Sequence, residues 1–400
     1  MLQSMNNILN QTLLEKVTEI EPWLIDIRRD FHRHPELGMA EFGTSRKISE
    51  LLGEMGIQHR TGIANTGIVG IIEGSKPGKT IALRADMDAL PIREETGLSY
   101  ASVNEGQMHA CGHDAHMSVL LGAARVLNSL KADLSGNVKL FFQPAEETEG
   151  GAKPMIEAGC MEGPKVDHVL GLHVTPYAEA GQIMIRPGKI CASSDGLTIT
   201  IRGKSAHGAY PEEGTDAIVI AAQIITSLQT IISRNLSPMD SGVITIGMIN
   251  GGLKENIIAD QVRISGTIRT LDPNIRTLIK ERIENLVSGV AKSLGGDALV
   301  EFESGYPPVI NDDELVNVIE TNAISLLGKE NVLFKERPSM GVEDFSYFGQ
   351  AVPSAFYYLG CANREQGIMA PGHSSKFQID ENCLKTGVLL QVVNTLSLLK

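Results

Sequence analysis

Within MHACGHDAH, residues 108–116, the chain places Cys111, His113, Asp114 and His116 inside six positions. Thiolate and imidazole are good ligands for zinc and similar ions. A short loop lets Cys111 and His113, two apart, point at a common centre, and the glycine between them relaxes the backbone. In FFQPAEETEG an apolar strand should end at Gln143, where Pro144 breaks the ladder, and Glu146 and Glu147 follow. Adjacent carboxylates suit a division of labour in which one binds metal and the other moves protons. His173 closes the apolar run LGLHV, and His373 lies in the Pro-Gly loop APGHSS. Asp86 and Asp88 follow the apolar start of ALRADMDALP, as ligands, orienting groups or helix caps. Each feature taken alone has an ordinary reading as a polar loop, a solvated acidic turn or a satisfied core histidine. Together, Cys111, His113, Glu147, His173 and His373 make five ligands, too many for one tetrahedral zinc. They fit two ions that share a bridging ligand, roughly 3.5–4 Å apart in hydrolases of this kind.

Such residues need a frame that brings distant segments together. Apolar runs at 67–73, 80–86, 138–143 and 169–174 read as strands, and amphipathic spacing predicts helices over about 12–31 and 115–130. Continuous apolar strands alternating with helices predict a buried, mostly parallel sheet, whose active site lies beyond the carboxyl ends of the strands. From Cys191 the pattern changes to strand 197–202, helix 217–234, strands 242–249 and 262–269, helix 274–294 and strand 299–303. That β-α-β-β-α-β order predicts a ferredoxin-like sandwich with one open sheet face. After Tyr306-Pro307-Pro308 come a helix over 313–327, a strand over 355–359 and a C-terminal helix over 381–399. The expected fold is α/β: a mixed, mostly parallel sheet flanked by helices in a catalytic domain of residues 1–190 and 308–400. An α+β lid of residues 191–307 interrupts it, and an exposed sheet edge on that lid invites pairing into a homodimer or higher homo-oligomer.

These motifs, in this order, resemble the hippurate hydrolase and auxin-conjugate amidohydrolase branch of the di-metal aminoacylase and carboxypeptidase superfamily. The segments that carry the resemblance are FHRHPELG, RADMDALP, MHACGHDAHM, FQPAEE, GLHV, GKSAHGAYP, NIIAD, GTIRT, MGVEDFS and PGHS. It implies that Cys111 bridges two divalent ions, zinc or manganese foremost with cobalt or nickel as alternatives. His113, Glu147, His173 and His373 would complete the ligand set. Glu146 is implied as the general base and Asp88 as an acid that supports the site. His207, Asn256 and Arg269 match substrate-contacting positions, and Gly341 a backbone contact. Asp86 stands where carboxypeptidase-type relatives have a histidine ligand, so it is not counted as one. FHRHPELG is a family marker, for which capping and packing by His32, His34 and Glu36 is the expectation. The implied substrate is an N-acyl amino acid, N-acetyl or N-benzoyl in type, attacked by a metal-activated water. A dipeptidase or carboxypeptidase of the same superfamily is the alternative. A non-catalytic metal-binding regulator should lack Glu146 or a ligand, and none is missing.

The bulk properties limit the partners. A net charge of -13 over 400 residues argues against nucleic acid and anionic membrane. No stretch reads as a spanning helix and the N-terminus does not read as a secretory signal. Five cysteines, odd in number and without a CxxC pair, suit a reducing cytoplasm better than a disulfide framework.

Overall fold

The structure is a computed structural model that describes residues 2–400, with side chains described from Gln11 onward. In chain order its elements begin with α1 (Leu2–Arg33), α2 (Phe42–Glu54), β1 (Gln58–Ile63), β2 (Gly67–Glu73), β3 (Lys76–Asp86) and α3 (His113–Ser129). Then come β4 (Ser135–Gln143), α4 (Ala152–Glu157), β5 (His168–Glu179), β6 (Ile183–Ile185), β7 (Gly188–Cys191) and β8 (Ser193–Arg202). They continue with α5 (Ala217–Thr230), β9 (Gly242–Gly251), β10 (Gln261–Thr270), α6 (Pro273–Ser293), β11 (Asp297–Ser304) and β12 (Val309–Asn311). The last are α7 (Asp313–Leu327), β13 (Val332–Phe334), α8 (Ser346–Ala351), β14 (Ser354–Ala362) and α9 (Asn382–Leu398). Two compact units result. The first takes the chain up to Gly188, Ile310–Glu336 and Tyr347–Lys400; the second takes Lys189–Val309 and Arg337–Ser346.

An eight-stranded sheet, ordered β1-β2-β4-β3-β5-β14-β6-β13, carries the first unit. Its middle strands β4, β3, β5 and β14 are parallel neighbours, so their carboxyl ends lie along one edge. The last seven residues of β3 and most of β4 are buried on both faces, which is why they read as unbroken apolar runs. The fold is thus the mixed, mostly parallel α/β arrangement that the strand pattern predicts. Strand β5 runs past His173 to Glu179 rather than closing there, because β14 continues to pair with it. Helix α2 and strand β1, which periodicity did not pick out, pack against each other at the first edge.

The second unit contains a four-stranded sheet, β11-β8-β10-β9, with α5 and α6 packed on one face. Its core draws on Ile199, Ile220, Ile264 and Ile283. Asp216 and Asp272 cap α5 and α6 with their side chains, and Pro273 opens α6. Ala217–Asn235, with a π-turn at its end, is long and apolar enough to cross a membrane by length and composition, contrary to the sequence reading. Its inner face, including Ile220 and Ile224, is part of this core. Arg337–Ser346 belongs to this unit and not to the first: Ser339 N bonds Ile190 O and Ala192 N bonds Gly341 O.

Helices α1 and α9 flank α3, and their approach depends on Gly122. A Cβ there would stand 2.6 Å from Leu24 Cδ2 and 2.6 Å from Val388 Cγ2. Gly122→Leu should therefore destabilise the first unit by about 1–3 kcal/mol through overpacking. Chemical denaturation checks this; an unchanged midpoint would show that the helices can part without cost.

Candidate metal centre

Four segments at the carboxyl edge of the large sheet deliver the ligand-type side chains. The first is the loop before α3. Gly112 takes the left-handed conformation (φ +87), and a Cβ on it would meet Val174 Cγ2 at 2.3 Å. Only glycine allows that turn together with that approach, and the turn places Cys111 and His113 on either side of it. The second segment follows β4, where Ala145, a non-glycine residue at φ 55, turns the chain so that Glu146 and Glu147 enter the site. The third is β5 at His173. The fourth is the His373 loop, tied to the first by a bond from His373 N to Ala110 O of 2.8 Å.

The ligand atoms converge as two clusters with one member in common. Cys111, His113 and His173 form one, Cys111, Glu147 and His373 the other, and within each the atoms lie within 4.8 Å of one another. Cys111 Sγ is 3.3 Å from His173 Nε2. Glu147 Oε1 is 3.1 Å from His373 Nε2 and 3.9 Å from His113 Nε2. The His373 approach has the distance of an ion pair without the alignment of a hydrogen bond. His113 Nε2 and Glu147 Oε1 are accordingly buried without hydrogen-bond partners. Buried polar atoms normally find partners, and divalent cations would suit both. Glu146, largely buried, joins His113 and Glu147 in a third cluster.

Asp88 organises this arrangement from behind. Its Oδ1 lies 3.2 Å from His113 Nδ1, and its Oδ2 accepts from Glu147 N at 3.0 Å. A carboxylate on one imidazole nitrogen aims the other at the centre and makes it more basic. The second unit holds the remaining predicted residues. His207 and Asn256 sit on neighbouring exposed loops joined by a bond from Gly208 N to Asn256 O of 2.9 Å. Arg269 lies on β10, facing away from the buried Ile268, and Gly341 is exposed.

The electrostatics are those of a site short of positive charge. Burial opposes a charged His113, yet Asp86, Asp88 and Glu147 push its imidazole up to about 10. Burial, and then Glu147 and Glu146, raise the Cys111 thiol well above its ordinary value. Glu147 is lowered despite its burial, by His373 and His113, and His373 is raised by Glu147. Burial pushes His116 down to about 4.

The FHRHPELG motif does more than cap and pack. Glu36 does cap α2, accepting from Gly43 N at 3.0 Å and Thr44 N at 2.7 Å, and His34 is exposed. His32 is buried, 2.8 Å from Asp114 Oδ2 and 3.2 Å from Glu94 Oε1. Arg28 Nε also lies 2.8 Å from Asp114 Oδ2. Burial alone would raise Asp114; Arg28 and His32 hold it far below the usual carboxylate range. Asp114 is thus spent on α1 and is not free for an ion. Sequence reasoning missed Arg28 because a helical arginine carries no spacing signal; the acid–histidine density of 108–116 was the available clue.

A profile of peptidase family M20/M25/M40 matches residues 82–394, which include every residue of the two clusters. The chain belongs to this family. As an M20 protein it is a hydrolase of amide bonds, built on a mixed, mostly parallel sheet. Thermostable carboxypeptidase 1 of Saccharolobus solfataricus is 42% identical over 95% of this chain and 96% of its own. N-acetyl-L-cysteine deacetylase of Bacillus subtilis is 40% identical over 96% of this chain and 88% of its own. A crystal structure from Bacillus subtilis, described as a dinuclear metal-binding peptidase of the M20 family, superposes with a TM-score of 0.84. It is 33% identical and covers 96% of this chain and 99% of the other.

Protonation of this M20 site sets a measurable dependence. Metal binding requires thiolate and neutral imidazole, whereas burial and the neighbouring carboxylates favour the protonated forms of Cys111 and His113. If Cys111 and His113 are ligands, zinc binding should release protons, and affinity should rise with pH across the neutral range. Calorimetry in buffers of different ionisation enthalpy measures the release. Affinity independent of pH between about 6 and 8 would contradict the assignment.

Proposed function

We propose that the chain hydrolyses the amide bond of N-acyl amino acids with two divalent ions, which Cys111, His113, Glu147, His173 and His373 would hold, Cys111 being common to both clusters. The observation that carries this reading is the pair of ligand clusters sharing Cys111, at whose centre His113 Nε2 and Glu147 Oε1 lie buried without hydrogen bonds. The mixed sulfur, nitrogen and oxygen donors suit zinc, with manganese next. When bound, the ions acidify a water and polarise the amide carbonyl.

The chain's own groups do the rest. Glu146 takes the proton of the attacking water and returns it to the leaving amine. Asp88 holds His113 so that Nε2 faces the centre. His207, Asn256, Arg269 and Gly341, all in the second unit, serve substrate recognition. Arg269 offers a guanidinium to the free carboxylate of the amino-acid half, and His207 a donor to the developing oxyanion. A homo-oligomer through the β9 edge fits the exposed Val243, Met248 and Ile249 on that strand. A cytoplasmic location fits five free cysteines, four of them buried. Carboxypeptidase action is the second reading, favoured by the name of the 42% identical relative. Turnover of N-acetyl and N-benzoyl amino acids against dipeptides separates the two.

Glu146→Gln should lower kcat by roughly 10²–10⁴-fold, the range for losing a proton-transfer group, while both ions stay bound. Glu147→Gln should lose metal as well. Metal analysis beside turnover checks this; equal metal loss in both would reverse the assignment. Arg269→Ala should raise KM mainly for substrates with a free α-carboxylate and much less for their esters. Equal losses on acid and ester would make Arg269 structural.

A further inference from the structure

Asp86, His113 and His116 make another buried cluster of ligand-type residues, and the function above uses only His113 from it. His116 has no lone pair left for a cation. Its Nε2 lies 2.8 Å from Val174 N, a backbone group that can only donate. Nε2 is therefore the bare acceptor, and the ring hydrogen sits on Nδ1, which donates to Asp86 Oδ1 at 2.6 Å. The second oxygen of Asp86 is 2.6 Å from Arg84 Nη1, and Arg84 Nε donates to Gln143 Oε1 at 2.8 Å. All four side chains are buried.

This run of bonds lies where the backbone ladder fails. Pairing of β3 with β5 ends at Arg84 and Gly171, and pairing of β3 with β4 ends at Asp86 and Gln143. His173 lies two residues beyond the last β3–β5 pair, so no backbone bond between those strands fixes its distance from Asp88 or from Glu146 and Glu147. His116 bridges that opening from the first turn of α3. It joins Val174, next to His173, to Asp86 at the end of β3, and through Arg84 to Gln143 at the end of β4.

We propose that His116, Asp86 and Arg84 are positioning residues, a side-chain brace that sets where His173 stands relative to the other ligands, and that neither His116 nor Asp86 binds an ion. The inference rests on the two-ion reading above. It predicts an asymmetry. The brace meets the Cys111–His113–His173 cluster through Val174, whereas Glu147 is held by Asp88 and His373 by Ala110. Loss of the brace therefore weakens one ion and spares the other.

Zinc alone, titrated into the full chain against a competing chelator, tests this. The wild-type isotherm comes first: fewer than two ions sinks the two-ion reading and this inference with it. With two ions established, His116→Ala should lower one affinity by about ten-fold or more, the usual effect of removing a group that orients a ligand, and leave the other unchanged. X-ray absorption of the zinc-saturated variant should give the wild-type number of imidazoles per zinc. A smaller number would make His116 a ligand and overturn the proposal, as would equal weakening of both ions or weakening of neither. Asp86→Asn keeps the volume and an acceptor for His116 but removes the ion pair with Arg84. It should weaken the same ion by a smaller factor, and it carries the same overturning outcomes if the alanine variant does not fold.

Discussion

Two buried atoms, His113 Nε2 and Glu147 Oε1, face each other 3.9 Å apart with no hydrogen bond to either. Leaving a buried polar atom without a hydrogen bond costs about 1–3 kcal/mol, which the ion pair of Glu147 with His373 offsets only for Glu147, and a chain that gathers two such atoms must hold them there. Most of what surrounds the site can be understood as that hold. Asp88 takes the far nitrogen of His113 and the backbone of Glu147 together. Asp114, the next residue along, is gripped by α1 through Arg28 and His32. The parallel strands bring the ends of buried apolar segments to a common edge, so the polar cluster rests on a buried base.

The two units divide the molecule by kind of order. The first stores its precision in buried charge, with arginine, aspartate and histidine packed where apolar residues would ordinarily go. The second is a conventional sandwich whose inner residues are almost all aliphatic. Its ion pairs of Asp195 with Arg276 and Lys280 fasten α6 to β8. Its candidate recognition residues, His207, Asn256 and Arg269, are carried on exposed or half-exposed backbone.

Much of this was legible in the residues alone, and the exceptions have causes. The helix α7 was found to the residue because burial on one face writes its period into the sequence, and β2 because burial on both faces leaves an unbroken apolar run. The short strands β6 and β13 were missed because three residues carry no period. Cys111, His113, Glu147, His173 and His373 stood out as candidates because ligand chemistry restricts residue type, and the structure gathers their ligand-type atoms in two groups that share Cys111. The bracing groups were not. Arg84, Gln143 and Arg28 are of types found on any surface, and only their burial in the fold reveals what they hold. The end of β5 was misjudged because its partner β14 lies far along the chain, and pairing at that distance leaves no local mark.

Gly112 shows what this construction means for sequence drift. Ligand residues are in principle replaceable, since thiolate, imidazole and carboxylate all bind ions, and a lineage could exchange one for another while keeping a working centre. Gly112 has no such neighbours. With φ at +87 and Val174 2.3 Å from where a methyl would stand, any other residue is strained in its backbone and forces Val174 to move. The least reactive residue in the motif is therefore also a tightly constrained one.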